Sequence, residues 1–312
     1  MLKPRTDEPK VVTIILNYNV SAETLKCVAS VQNSAYKNLE ILVIDNGSTD
    51  DSVALLAEKL PEEVVFVKNK NTGYAGGNNF GLRWALKHEA DYALILNPDT
   101  TIDPGAVSEL VNYANAAGTK IGFMGPRIFL SGNVSEPTIY SDGGRIHWTL
   151  TRATLAHHGE PVSRLKLKQK PFSCDYVTGT ALFVSRGVLK KVGLMREDYF
   201  LYYEDTDWSL RCRRLGYKLM IVPSAKVYHE ESRSTGLLSP RYIYYNTRNG
   251  LYLALWNGSM VLRWLARLNS IFKLLKQPLK YLLRPSQRYW IKPITRAIID
   301  VWLDRTGRAA WL

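Results

Sequence analysis

Four short apolar runs, separated by helical stretches and ended by polar turns, constrain this chain more than any other feature. Val11 to Leu16, Leu39 to Ile44, Val64 to Lys68 and Tyr92 to Leu96 are nearly continuous in Val, Ile, Leu and Tyr. Between them, Ser21 to Asn33 carries Leu25, Val28, Ala29 and Val31 at helical spacing, and Asp51 to Leu60 and Asn78 to His88 also pattern as helices. Strands apolar on both faces must be covered on both faces. The alternation therefore predicts an α/β fold with a mostly parallel central sheet flanked by helices. Three of the runs end in Asn/Asp-rich turns: Asn17-Tyr18-Asn19, Asp45-Asn46-Gly47-Ser48 and Asn97-Pro98-Asp99. Ligands of such sheets bind beyond the carboxyl ends of the strands, so these turns are expected to line one cleft.

Further along, a helix is expected from Pro104 to about Ala117 and a strand at Val177 to Val184. A short helix follows at Gly187 to Val192, then one from Asp205 to Leu215 stopped by Gly216, and short strands at Lys218 to Val222 and Ala225 to His229. Gly122 to Lys170 lacks clear periodicity and reads as a β-excursion with a mobile loop around Thr151 to Lys170. From Ser239 the pattern is helical, with Pro278, Pro285 and Pro293 expected to divide it into short pieces. The expected organisation is a main domain, 1–238, and a C-terminal helical, basic extension, 239–312.

At 312 residues the chain can bury a substantial core. Its formal charge of +13 is uneven: from Arg263 onward, eleven Lys or Arg face only Asp300 and Asp304, so most of the excess lies at the end. That asymmetry implies a polyanionic neighbour. Trp256, Trp264, Tyr281, Trp290 and Trp302 interleave with these cations. Two readings stand: helices lying on anionic lipid, or a helical cap with a solvated basic face. Arg263 and Arg267 interrupt the best apolar run, Leu251 to Leu268, before it reaches the length of a membrane span. Met1 to Lys10 lacks the apolar core of a signal peptide. Cys27, Cys174 and Cys212 form neither a disulfide framework nor a zinc pattern, which suits a reducing cytoplasm. The expected protein is cytoplasmic, soluble or bound at a membrane surface.

The candidate chemistry lies in the polar segments. Asp45-Asn46-Gly47-Ser48-Thr49-Asp50 can offer a carboxylate to the imide N–H of a pyrimidine, or can simply turn the chain with Ser48 or Asp50 as an N-cap. Asn71-Thr72-Gly73-Tyr74-Ala75-Gly76-Gly77-Asn78-Asn79 opens a helix with backbone N–H groups suited to a diphosphate, but is neither a Walker loop nor a G-x-G-x-x-G fingerprint. Asn97-Pro98-Asp99 places one carboxylate where it can hold a divalent cation, or is a plain turn. His229 follows a short strand and gains meaning only if it faces Asp99. Tyr202-Tyr203-Glu204-Asp205-Thr206-Asp207-Trp208 gathers three mutually repelling acids. They are a candidate base that activates a nucleophile, or a helix N-terminus with Asp207 paired to Arg211.

In their order along the chain, these segments resemble the family 2 glycosyltransferases of GT-A fold, over roughly residues 10 to 250. Ile15-Leu16-Asn17-Tyr18-Asn19 opens the series and Tyr228-His229 closes it. The likeness is strongest to the bacterial rhamnosyltransferase-like branch that builds O-antigen and related cell-envelope lipopolysaccharide glycans, where Tyr244-Tyr245-Asn246-Thr247-Arg248-Asn249 also recurs. The resemblance implies an inverting transfer from a nucleoside diphosphate sugar, dTDP- or UDP-linked, to a glycan or lipid-linked acceptor. It implies that Asn17, Asn19, Asp45, Asn46, Gly73, Gly76, Gly77, Asn78 and Asn97 line the donor. Asp99 and His229 would hold Mg2+ or Mn2+. Asp205 would be the catalytic base, with Glu204, Thr178 and Gly179 toward the acceptor. Asn97 stands where the family often has the first acid of Asp-x-Asp, which weakens the expected metal site by one charge.

Two other classes compete. The basic charge and interleaved aromatics suit a nucleic-acid-binding protein, but no nucleic-acid motif supports it and the cleft acids would repel phosphates. A nucleotide-binding dehydrogenase lacks its glycine fingerprint. The expected partners are therefore a sugar nucleotide, its acceptor and a membrane surface, not nucleic acid, with oligomerisation left open.

Overall fold

A computed structural model describes residues 8–132, 136–230, 239–283 and 285–311. The polar start of the chain and the boundary expected at residue 238 lie largely outside these residues. The first strands form as expected: β1 (Val11–Asn17), β2 (Leu39–Asp45), β3 (Val65–Lys68) and β4 (Tyr92–Leu96), alternating with α1 (Ser21–Gln32), α2 (Ser52–Lys59) and α3 (Gly73–Lys87). Then come β5 (Thr100–Ile102), α4 (Ala106–Ala117), β6 (Ile121–Leu130), β7 (Ile139–Ser141), β8 (Gly144–His147), β9 (Arg152–Leu155) and β10 (Phe172–Ser173). β11 (Ala181–Ser185), α5 (Arg186–Val192), α6 (Glu204–Arg214) and β12 (Lys218–His229) complete the sheet region. The chain continues as α7 (Pro240–Asn257), α8 (Met260–Leu283) and α9 (Ile291–Trp302).

Ten strands make one sheet in the order β10-β12-β6-β11-β4-β1-β2-β3, with β5 on β12 and β7 on β6. The β4-β1-β2-β3 half is parallel, as expected. The other half is mixed: β11 runs antiparallel to both β4 and β6, so the sheet as a whole is mixed rather than mostly parallel. The apolar content of β11, buried on both faces, is that of a parallel strand, and composition alone does not encode its direction. Two hydrophobic cores cover the two faces. Cys27, Val28, Val31, Val107 and Leu110 of α1 and α4 pack on one. Leu82, Ala85, Leu189, Trp208 and Cys212 of α3, α5 and α6 pack on the other.

Three expectations change. The region 122–170 is the strand-rich excursion expected, but β9 of the β8–β9 hairpin falls inside the stretch expected to be loop. Lys218 to His229 is one strand with two register irregularities rather than two strands. α8 runs through Pro278, and Pro293 sits in the first turn of α9, where the missing N–H would have no intrahelical partner.

Candidate active site

In-register parallel pairing sets Asn17 beside Asp45 and Ile15 beside Leu96, so the ends of β1, β2 and β4 open onto one edge of the sheet. β11 is antiparallel, so its beginning reaches that edge: Ala181 lies opposite Leu96, and the Asn97 N–H donates to the Thr180 carbonyl at 2.9 Å. β12 ends there too, with His229 opposite Thr100. The topology thus gathers Asn97, Asp99, Thr178, Gly179 and His229 from three distant stretches of sequence.

At the β1–β2 end, Asp45 is fully engaged. Its Oδ1 accepts from the N–H groups of Gly47 and Ser48, and its Oδ2 from Asn17 Nδ2 and the Ser48 hydroxyl. A carboxylate offers about four lone pairs, so none is left for a pyrimidine imide while this turn persists. Asn46 is buried, donating to the Gly73 carbonyl at 3.0 Å and accepting from Thr72 N–H. Asn19, at φ +57°, exchanges hydrogen bonds with Thr49 and donates its N–H to Ser48 Oγ.

The glycine-rich stretch is helix, not an open cradle, because α3 starts at Gly73 rather than near Asn78. Its glycines serve close packing. A Cβ on Gly77 would lie 2.5 Å from the Leu16 side chain, and one on Gly76 would strike Thr72. Gly73 adopts φ +75°, and its Cβ would sit 2.2 Å from the Phe200 carbonyl oxygen. The N–H groups expected to face a diphosphate already have acceptors: Gly73 donates to Asn71 Oδ1 and Tyr74 to the Phe200 carbonyl at 2.7 Å. Asn78 donates to the Tyr74 carbonyl, while its buried Oδ1 has no partner among the described residues.

Across the cleft, α6 begins at the acids. Asp205, partly exposed, accepts from Gly179 N–H at 2.7 Å and from the Thr206 N–H and hydroxyl. The Tyr74 hydroxyl donates to the Gly179 carbonyl and fixes that loop from the other side. Glu204 is buried, and its Oε2 has no hydrogen-bond partner among the described residues. Burial, then the neighbouring Asp205 charge, pushes the Glu204 carboxyl up to about 8. Burial also raises Asp205, against the lowering effect of the Gly179 and Thr206 hydrogen bonds. Glu204, at about 8, favours its protonated form near neutrality, while the Gly179 and Thr206 donors favour the anion on Asp205. Asp207 is different. It is completely buried between Arg211 Nε at 2.9 Å and Asn257 Nδ2 at 2.8 Å, the ion pair expected of a helix start.

The turn before these acids is strained. Phe200, Tyr202 and Tyr203 all have positive φ, 63°, 67° and 76°, at an order of 1–3 kcal/mol each. Two buried residues of α7 hold it. Asn249 Nδ2 reaches the carbonyls of Tyr199, Leu201 and Tyr202 at 2.8 to 3.0 Å. Arg248 donates to the Tyr199 carbonyl at 3.0 Å and to the Gly307 carbonyl at 2.8 Å. The sequence marked this pair only as the end of the recurring phrase Tyr244-Tyr245-Asn246-Thr247-Arg248-Asn249 and gave it no role.

Asp99 and His229 do face one another, Oδ1 to Nε2 at 3.1 Å, and both are largely buried. Two ligand atoms at right angles on one cation, each at about 2.1 Å, stand about 3.0 Å apart, so this pair fits a shared divalent ion. The buried Asn97 Oδ1 nearby has no partner among the described residues. Those residues contain no cluster of three or more His, Cys, Asp or Glu suited to a metal, so a bound ion would take its other ligands from substrate and water.

The mixed α/β sheet with helices on both faces and polar strand ends on one edge is a GT-A fold. Residues 12–193, more than half of the chain, match the family described as glycosyl transferase family 2, and the chain belongs to that family. It is 26% identical over 249 residues to the N-acetylglucosaminyl-diphospho-decaprenol L-rhamnosyltransferase of Mycobacterium tuberculosis, covering 72% of this chain and 76% of that protein. It is 24% identical over 248 residues to the dTDP-rhamnosyl transferase RfbF of Shigella flexneri, covering 77% and 78%. GalNAc-T7, solved with UDP, GalNAc and Mn2+, superposes with a TM-score of 0.63 at 16% identity, over 96% of this chain and 59% of that one. The mannosyltransferase PcManGT of Pyrobaculum calidifontis, with GDP-Man and Mn2+, gives 0.57 at 14%, over 96% and 89%. These two likenesses establish the fold alone.

Proposed function

We propose that this enzyme transfers L-rhamnose from dTDP-L-rhamnose to a hydroxyl of a glycan or polyprenyl-diphosphate-linked acceptor in cell-envelope polysaccharide synthesis, with inversion at the anomeric carbon. The observation that carries the reading is the division of the acid pair: Gly179 and Thr206 donate to Asp205 and favour its anion, beside a Glu204 carboxyl pushed up to about 8. An ionised carboxylate at the cleft can take a proton from an acceptor hydroxyl as its oxygen attacks from the face opposite the leaving diphosphate. Oxygen forms the new glycosidic bond as the bond to the diphosphate breaks, and a single displacement inverts the centre. The Mycobacterium and Shigella relatives, both rhamnosyltransferases, support the sugar, and the Mycobacterium one, which acts on a diphospho-decaprenol, supports a lipid-linked acceptor.

Asp99 and His229 would hold Mg2+ or Mn2+, with Asn97 beside them. When bound, that cation neutralises the charge left on the departing nucleoside diphosphate. Asn17, Asn19, Asn46 and Asn78 would flank the donor, with Asp45 and the glycines fixing their frame; Thr178 and Gly179 would face the acceptor. Residues 1–238 would be the catalytic domain and 239–312 an extension that braces it through Arg248 and Asn249. A lipid-linked acceptor would place a peripheral enzyme at the inner face of the cytoplasmic membrane.

The test is a screen of dTDP-, UDP- and GDP-sugars against a lipid-diphosphate acceptor, with products read by mass spectrometry. Rhamnosyl product from dTDP-L-rhamnose, lost in Asp205→Asn, is expected. Product from UDP-sugars alone would move the donor assignment, and normal turnover in Asp205→Asn would remove Asp205 as base.

A further inference from the structure

Helix α8 has its amphipathic character reversed. The residues it buries against the body of the protein are small or polar: Ala266, Ser270 and Gln277. Ser270 Oγ even accepts a hydrogen bond from Trp302 Nε1 at 3.1 Å. Its outward residues are large and apolar. Trp264, Leu268, Phe272, Leu275, Leu279 and Leu282 follow spacings of three and four, and each is between 48% and 70% exposed. At 3.6 residues per turn they fall within an arc of about 80°, opposite the buried seam. A contiguous exposed apolar stripe of this kind marks an interaction surface rather than ordinary solvent-facing helix.

The charges choose the occupant. α8 contains no Asp or Glu, while Arg263, Arg267, Lys273, Lys276 and Lys280 are all basic. Arg267 falls on one flank of the stripe and Lys276 on the other. A second copy of this chain would bring like charges against like along both flanks. An anionic lipid surface instead meets both flanks with opposite charge and accepts the apolar stripe between them. No helix among the described residues is long and apolar enough to cross a membrane, so the helix would lie in the plane of the interface. Trp264, Tyr281 and Trp302 are each more than half exposed, and such amphipathic rings favour the headgroup level.

We infer that the outward face of α8 docks the enzyme on an anionic membrane leaflet, with the stripe from Trp264 to Leu282 inserted among the acyl chains. This docking needs no sugar transfer, so its test is separate from that of the proposed reaction. The full chain is sedimented with vesicles of phosphatidylcholine, or of phosphatidylcholine mixed with phosphatidylglycerol, at low and high salt. Binding to the mixed vesicles that weakens with salt is expected. The triple variants F272E/L275E/L279E and F272S/L275S/L279S should lose it by roughly tenfold or more with unchanged thermal unfolding. Equal binding to both vesicle types, or variants that bind like wild type, would overturn the assignment. A wild-type dimer in light scattering that the triple variants dissolve would overturn it in favour of a second copy.

Discussion

Around Asp45 four donors meet four lone pairs, whereas across the cleft a buried oxygen of Glu204 meets no donor among the described residues. The first region is a closed hydrogen-bond system. Its geometry follows from strand ends in register and a glycine turn at Gly47, φ +75°. The second is held in a costly state by its surroundings: three non-glycine residues at positive φ, and two adjacent carboxyls both raised by burial. Strain and displaced pKa values gather where a fold arranges chemistry, while satisfied turns gather where it fixes a frame. The contrast separates a rigid side of the cleft from a loaded side, and each of the following variants acts on one of them or on their junction.

The largest effect belongs to the loaded side. Asp205→Asn removes the acid whose anion Gly179 and Thr206 favour, so kcat should fall roughly 10²–10⁴-fold while the nucleotide Kd, by titration calorimetry, stays near wild type. A parallel loss of nucleotide binding would mean that Asp205 belongs to the rigid frame. Next comes the junction, where Gly73 of α3 touches the strained turn. Gly73→Ala adds a Cβ at 2.2 Å from the Phe200 carbonyl on a left-handed backbone. Chemical unfolding should show a loss of about 2–5 kcal/mol. Unchanged stability, or the gain that Gly→Ala brings at an unstrained helical site, would show that the two sides are not locked together.

These two positions also show what was legible beforehand. The strands β1, β2 and β4 announce themselves because burial on both faces leaves almost no polar residue within them, and the helices between them keep their period. The acid cluster and Asn97-Pro98-Asp99 stand out because carboxylates after apolar runs are uncommon. Gly73 was legible as part of a glycine-rich stretch expected along the donor. That it serves contact with Phe200, 127 positions away, is a tertiary fact that no local pattern contains. The same holds for β11, whose direction decides that Gly179 reaches Asp205, and for Asn249, whose three acceptors are backbone carbonyls without sequence identity.

Asn249 gives the third test. Asn249→Ala strips the shared donor from the carbonyls of Tyr199, Leu201 and Tyr202, with a cost of about 1–3 kcal/mol. As a positioning residue it should lower kcat while leaving donor KM unchanged. A loss of stability with kcat intact would mean that the turn keeps its aim without the clamp.

The smallest effect per measurement is a pH slope. Glu204 has its carboxyl raised from 4.5 to about 8, by burial first and by Asp205 second. Below pH 4.5 both folded and unfolded chains hold the proton, and the group contributes no pH dependence. As pH rises from there, the unfolded chain releases the proton and the folded one keeps it, so equilibrium shifts toward unfolding until the folded group itself ionises near 8. One proton corresponds to at most about 1.4 kcal/mol of stability lost per pH unit across that window. Glu204→Gln keeps the shape and cannot ionise. Urea unfolding of both proteins at several pH values should therefore give a wild-type curve that falls more steeply with pH than the variant's, with the two diverging between these limits. Parallel curves would place the proton elsewhere and make Glu204 an ordinary ionised acid, leaving both sides of the cleft equally satisfied.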